Sequence, residues 1–176
     1  MNIEVLKENL RCIPDFPKKG INFRDVTTLY KSAECMKIMT DELYEKYKDK
    51  GITKIVGIES RGFILASALA YQLGAGVVLA RKPGKLPFTV IKEYYTKEYG
   101  VDTIEMHIDS ITPDDVVLIH DDLLATGGTA LATLKLVKHF KPKQVYMNFI
   151  MEISDEGLHG REALEDQVEV TTLMQL

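Results

Sequence analysis

The chain has 176 residues, 45% of them hydrophobic and 27% charged, with a formal net charge of −4. That is the make-up of one soluble globular domain, residues 1–176, with a sizeable core. The acidic balance gives no footing for nucleic acid or an anionic membrane surface as a partner, and no apolar run is long enough to span a membrane.

Two cysteines, Cys12 and Cys35, with no secretion signal read as reduced thiols of a cytoplasmic protein. His107, His120, His139 and His159 show no metal-ligand spacing. Met1–Cys12 reads as a short amphipathic helix with Ile3, Leu6 and Leu10 on one face. Ile13 to Gly20 is a loop, because Pro14 and Pro17 forbid a helix. By composition, Phe16 to Asp25 is only a loop leading into a strand. Ser32 can cap a helix that carries Met36, Met39, Leu43 and Tyr47 on one stripe, the methionines serving as core filler. Lys46 to Lys50 is its solvated end.

Lys54–Ile58 is the next strand, and Gly62–Leu73 is a nearly all-apolar and therefore buried helix. Between them, Ser60, Arg61 and the Gly62 amide can form an anion site at a helix N-terminus. A capped helix with a surface arginine would give the same local pattern. Gly76–Arg81 is a second strand. Arg81-Lys82-Pro83-Gly84-Lys85-Leu86-Pro87 follows, three cations stiffened by two prolines, which suits a polyphosphate. Lys82 to Gly100 is a long polar and aromatic loop, unusual in a compact domain unless functional. Glu105–Ile108 reads as a short strand.

Val116–Ile119 is too short for a helix, and its β-branched content suits a buried strand. A buried strand without alternation points to a parallel sheet covered on both faces. Ligands of such sheets sit at the carboxyl ends of the strands, where Asp121 and Asp122 stand. Thr126 to Thr129 then supply closely spaced backbone N–H groups, and Gly127 and Gly128 remove the side chains that would hold an anion away. A helix beginning near Gly128 aims its free N–H groups and positive end at the same spot. Its apolar side is Leu131, Leu134, Val137, the stem of Lys138 and then Phe140, and Pro142 closes it. A phosphate cradle beside a pair of hydroxyl acceptors suits a sugar phosphate. The run is neither a Walker-type loop, since no Gly-Lys-Ser/Thr follows, nor a dinucleotide fingerprint, since the third spaced glycine is missing.

Gln144–Glu152 is a strand, Glu156–Leu164 a helix and Val168–Leu173 a last strand. The alternation predicts an α/β fold: a mainly parallel twisted sheet flanked by helices.

Asp121-Asp122-Leu123-Leu124-Ala125-Thr126-Gly127-Gly128-Thr129 resembles the phosphoribosyl diphosphate (PRPP) signature of the type I phosphoribosyltransferases, and in form is similar to their adenine-using branch. The resemblance covers about Ile13 to the C-terminus and rests on four motifs in order. It implies the type I phosphoribosyltransferase fold, with a small N-terminal hood at about residues 13–30 and a mobile lid at about 82–104. It implies that Asp121 and Asp122 hold the ribose hydroxyls and that Ala125, Thr126, Gly127, Gly128 and Thr129 hold the 5′-phosphate. Ser60, Arg61 and Gly62 would grip the pyrophosphate, with a cis peptide at Glu59–Ser60. Arg81, Lys82 and Lys85 match the family's basic lid segment, which reaches toward a neighbouring subunit and so implies a homodimer. Glu98, in Glu98-Tyr99-Gly100, would manage a proton on the base. Phe23 would stack on the purine while the backbones of Asn22 and Arg24 read its edge, and Asp25 would order Arg24. The reaction implied is adenine plus PRPP to AMP plus pyrophosphate in purine salvage. Mg²⁺ would be held mainly by PRPP, with no direct protein ligand. Where relatives carry a small aliphatic residue this chain has His120, read as a packing variant.

Overall fold

The computed structural model describes residues 3–96, 100–154 and 158–176. Its centre is a five-stranded sheet, parallel throughout. The strands are β3 (Lys54–Ile58), β4 (Gly76–Ala80), β7 (Val116–Leu124), β8 (Gln144–Glu152) and β9 (Glu169–Gln175), in the spatial order β4-β3-β7-β8-β9. Among the described residues, five helices precede or follow them: α1 (Ile3–Asn9), α2 (Thr27–Tyr30), α3 (Ala33–Tyr47), α4 (Gly62–Leu73) and α5 (Gly128–His139). One apolar core joins α1 to α4 to the face that carries Ile55, Leu118 and Ile150. The other joins α5 to the face that carries Val56, Ile119 and Phe149. Both faces are covered, as unalternating strands require.

The boundaries of β3, α4 and β8 fall where the sequence places them. Ser32 caps α3 as expected, its hydroxyl accepting from the Cys35 N–H at 3.2 Å. Other elements differ. The first helix stops at Asn9, because Arg11–Ile13 pairs as β1 with β2 (Phe23–Asp25). Helix α4 is buried on one side only: Ile64 and Tyr71 face outward. In α5, Leu134 and Val137 are buried but Lys138 is exposed.

Part of the expected loop Lys82–Gly100 is strand: β5 (Val90–Thr96) pairs antiparallel with β6 (Val101–His107), which extends the short strand expected at Glu105–Ile108 toward its N-terminal side. Its aromatic and β-branched residues support a strand, and Tyr95, Ile104 and Met106 are buried against α5 and the sheet. The interleaved Lys and Glu residues masked that pattern in the sequence. In the described part of the expected helix at Glu156–Leu164, the chain instead makes turns, with Leu164 and Glu165 N–H both donating to the Arg161 carbonyl at 2.9 Å. Gly160 there packs against the Ala125–Gly127 turn.

Candidate active site

Strands β3 and β7 are neighbours, yet the chain leaves them on opposite faces, β3 into α4 and β7 into α5. A crevice opens at such a switch point, at the carboxyl ends of the strands. β3 follows β7 only as far as Gly57 opposite His120. Asp121 and Asp122 lie just beyond, still inside β7, which pairs with β8 through Leu124. The strand is therefore longer than Val116–Ile119, and the two acids are fixed by its ladder rather than carried on a turn.

The turn from β3 into α4 brings Arg61 to this point. Its Nε donates to Asp122 Oδ2 at 2.5 Å, a charge-assisted bond to a buried carboxylate. Burial works against the Arg61 cation, but the Asp122 and Asp121 carboxylates more than offset it, and its pKa is raised. The Asp121 carboxyl is pushed well above the usual carboxylate range by burial and by the charge of Asp122. One Asp121 oxygen accepts the Asp122 N–H at 2.9 Å. Gly62 packs so closely that a Cβ there would stand 2.9 Å from Asp121 Oδ1. The Glu59–Ser60 peptide is cis. Tyr30 donates its hydroxyl to the Arg61 carbonyl at 3.1 Å.

Across the crevice, the turn from β7 into α5 has Gly127 in the left-handed region (φ 78°) and no side-chain cap on the helix. Asp121, Leu123 and the residues Leu124 to Ala130 line a hollow of about 110 Å³, open to an anion. The free N–H groups of the first α5 turn are the donors left for it.

The hood supplies Phe23, whose ring centroid lies 5.8 Å from the Arg61 guanidinium and 5.2 Å from the Phe16 ring, edge-on. Asp25 does not order Arg24. Its carboxylate accepts from Arg11 at 2.6 Å and from the Thr27 N–H and hydroxyl at 3.0 and 2.6 Å. Arg24 Nε is buried, with no partner among the described residues. Asn22 is exposed.

The basic segment is already paired. Arg81 bonds Glu59 at 3.2 Å, and Lys82 bonds both Asp102 and the Tyr95 hydroxyl of the hairpin. Lys85 is exposed. Glu98 lies outside the described residues.

His120 is fully buried and enters a polar line. Asn148 Nδ2 donates to the Thr171 carbonyl (3.3 Å) and hydroxyl (3.0 Å), so its Oδ1 accepts from His120 Nδ1 at 3.0 Å. The Thr171 hydroxyl meets Tyr47 OH at 2.6 Å. Burial lowers the His120 pKa to about 4, so the ring is neutral at pH 7.

Sequence reasoning missed Tyr30 and Gly160, and it named Glu59 only for its cis peptide and not as the partner of Arg81. A Cβ on Gly127 would lie 2.8 Å from the Gly160 carbonyl oxygen, so the phosphate-type turn is backed by a loop more than thirty positions away. No local pattern marks that approach.

The model of the phosphoribosyl transferase domain matches residues 25–168, most of the chain. The chain belongs to the phosphoribosyl transferase family. It is 60% identical to the adenine phosphoribosyltransferase of Phocaeicola vulgatus over the full length of both. Among solved structures it is similar to the adenine phosphoribosyltransferase of Rhodothermus marinus, with a TM-score of 0.91, 49% identity and 99% and 98% of the two chains covered. A second is the enzyme of Giardia lamblia in complex with 9-deazaadenine, with a TM-score of 0.92, 40% identity and coverage of 100% and 98%.

Proposed function

We propose that the chain is an adenine phosphoribosyltransferase, joining adenine to PRPP to give AMP and pyrophosphate in purine salvage. The observation that carries this reading is the meeting, in one crevice, of the acid pair Asp121–Asp122, the Ala125–Thr129 turn and the Arg61–Phe23 contact. The near-identical length and 60% identity of the Phocaeicola vulgatus relative support the choice of base, as does the adenine analogue bound by the Giardia relative.

Ala125, Thr126, Gly127, Gly128 and Thr129 take the 5′-phosphate through their amides. Asp121 and Asp122 hold the ribose 2′- and 3′-hydroxyls. Ser60, Arg61 and Gly62 take the pyrophosphate, joined by Arg81, Lys82 and Lys85. Phe23 stacks on adenine, and the backbones of Asn22 and Arg24 read its edge. Glu98 exchanges the proton on the imidazole edge of the base.

Cleavage of the C1′–O bond develops oxocarbenium character. The two carboxylates lie near that charge and orient the sugar, acting by position and electrostatics rather than as nucleophiles. Attack by N9 from the opposite face inverts the sugar carbon. Mg²⁺ would be held mainly by PRPP oxygens with no direct protein ligand, while Asp121 and Asp122 hold the ribose hydroxyls beside it. When bound, Mg²⁺ neutralises charge on the departing pyrophosphate. The hairpin of β5 and β6, with the segment that leads to it, excludes water as a lid.

The reading includes a homodimer, supported by the apolar side chains of Ile64, Tyr71, Val77 and Leu79 left exposed on α4 and the edge strand β4. It also includes a cytoplasmic location; among the described residues no helix is long and apolar enough to cross a membrane.

AMP formation from adenine, PRPP and Mg²⁺, beside hypoxanthine, guanine, xanthine and orotate, tests this. Mg²⁺-dependent turnover of adenine alone is expected. Turnover of another base in preference would move the substrate, and no turnover with PRPP still bound would make the chain a sensor.

A further inference from the structure

The Ala125–Thr129 turn has no side chain of its own to hold it: α5 begins without a cap, and Gly127 adopts a left-handed conformation. Such a turn keeps its amides convergent only if something behind it is rigid. What stands behind it is Gly160. A Cβ on Gly160 would lie 2.3 Å from the Ala125 carbonyl oxygen and 3.0 Å from the Gly127 nitrogen. The two backbones are therefore in direct contact, closer than any side chain would allow.

Gly160 belongs to a stretch of turns, so its own position must be set elsewhere. The next residue sets it. Arg161 donates from Nε to both oxygens of Glu152, at 2.9 and 3.0 Å, and from Nη2 to Oε2 at 2.5 Å. Its Nη1 donates to the Val170 carbonyl at 3.1 Å, and Nη2 reaches the Thr172 hydroxyl at 3.4 Å. Glu152 is the last residue of β8, is buried, and stands opposite Leu124 of β7, the residue just before the turn. The guanidinium is thus bolted to two strands of the sheet at the level where the turn begins. A planar fork with this many bonds has one position. The Glu152 carboxyl is held below its usual range chiefly by the Arg161 hydrogen bonds, so the pair is ionised at neutral pH.

We propose that Arg161 and Glu152 are positioning residues for the 5′-phosphate cradle, acting through Gly160, which presses on Gly127 and Ala125 from behind. The inference rests on the reading of Ala125–Thr129 as the phosphate turn. Neither side chain touches the substrate. They fix the plane against which the amides are aimed, and a small error of aim weakens every amide–phosphate bond together.

The variants are Arg161→Gln, Glu152→Gln and Arg161→Lys, each checked by thermal unfolding. The probes are ribose 5-phosphate, titrated calorimetrically, and steady-state turnover with PRPP. Arg161→Gln and Glu152→Gln should raise the ribose 5-phosphate Kd and the PRPP KM by about tenfold, with kcat at saturating PRPP nearly unchanged, because uniform binding is lost. Arg161→Lys should recover part of the affinity. A folded Arg161→Gln with wild-type ribose 5-phosphate affinity would overturn the proposal. So would loss of cooperative unfolding in both Gln variants, which would make the pair an element of the fold and not of the cradle. Wild-type protein that binds ribose 5-phosphate yet makes no AMP would count against the adenine reading alone.

Discussion

Arg61 Nε and Asp122 Oδ2 lie 2.5 Å apart, although the two residues are 61 positions apart in the chain. The bond joins the turn after β3 to the carboxyl end of β7, and it places one cation between the Asp122 carboxylate and the Phe23 ring. Arg61→Lys should therefore be a poor replacement. An ammonium carries no planar fork to bond Asp122 while facing an aromatic ring. We expect kcat/KM to fall by about a hundredfold with the fold retained; steady-state kinetics with wild-type values would remove the bond from the mechanism.

Asp121 couples function against stability. Burial and the neighbouring Asp122 charge raise its pKa, so the folded state binds a proton more tightly than the unfolded chain. That contribution is full below the ordinary carboxylate value and is lost as pH rises through the raised folded value. Asp121→Asn removes the buried repulsion at neutral pH and keeps an oxygen for the Asp122 N–H. It should raise the Tm of the ligand-free protein while turnover falls by at least about a hundredfold. Calorimetry and the AMP assay on the same sample check both; a lower Tm would contradict the assigned repulsion.

The two glycines of the turn should separate. Gly127→Ala forces a Cβ to 2.8 Å from the Gly160 carbonyl oxygen at φ 78°, and should cost about 1–3 kcal/mol of stability. A Cβ on Gly128 meets nothing nearer than 3.6 Å. Gly128→Ala should keep the wild-type Tm, its methyl in ordinary contact with the Thr96 carbonyl oxygen and the Tyr95 ring, and should raise the PRPP KM, since the turn is the proposed phosphate site. Equal Tm losses in both variants would argue against this division.

Acid should weaken the fold through Asp115. Burial alone would raise its pKa, but bonds from the Thr53 hydroxyl (2.7 Å) and from the Thr112 N–H (2.8 Å) and hydroxyl (3.0 Å) lower it. Its stabilisation is present above the unfolded Asp value of about 3.9 and is lost as pH falls through the lower folded value. Asp115→Asn should lower Tm at pH 7 and flatten the loss of Tm below that value. An unchanged acid limb in a pH series of melts would show that other carboxylates control it.

Glu98→Gln should lower kcat more than it lowers PRPP affinity, because the role proposed for it is to move a proton on the base. Single-turnover rates set beside PRPP binding decide the matter. An effect on affinity alone would take Glu98 out of proton transfer.

Local order in this protein was legible because local order has a period. β3 announces itself by Ile55, Val56 and Ile58, β8 by an apolar stretch from Val145 to Met151 broken only by Asn148, α4 by an apolar stretch between glycines, and α3 by Ser32 and its stripe of Met39, Leu43 and Tyr47. The acid pair and the glycine turn could be read as chemistry because neighbours in sequence must be neighbours in space. The hairpin was harder, since its buried residues, Tyr95, Ile104 and Met106, are diluted by charged ones.

What tertiary structure alone decided are the meetings between distant segments. Sequence placed Arg61 near a phosphate but could not pair it with Asp122. It read His120 as packing but not as the end of a line through Asn148 and Thr171 to Tyr47. It gave no sign that Gly160 would rest on Gly127, and it expected a helix where Arg161 instead bonds Glu152. These contacts depend on strand order and on which face each crossover takes, and neither leaves a repeat in the chain. The sequence by itself settled the elements and the chemical groups; the order of the strands in the sheet settled which of those groups meet.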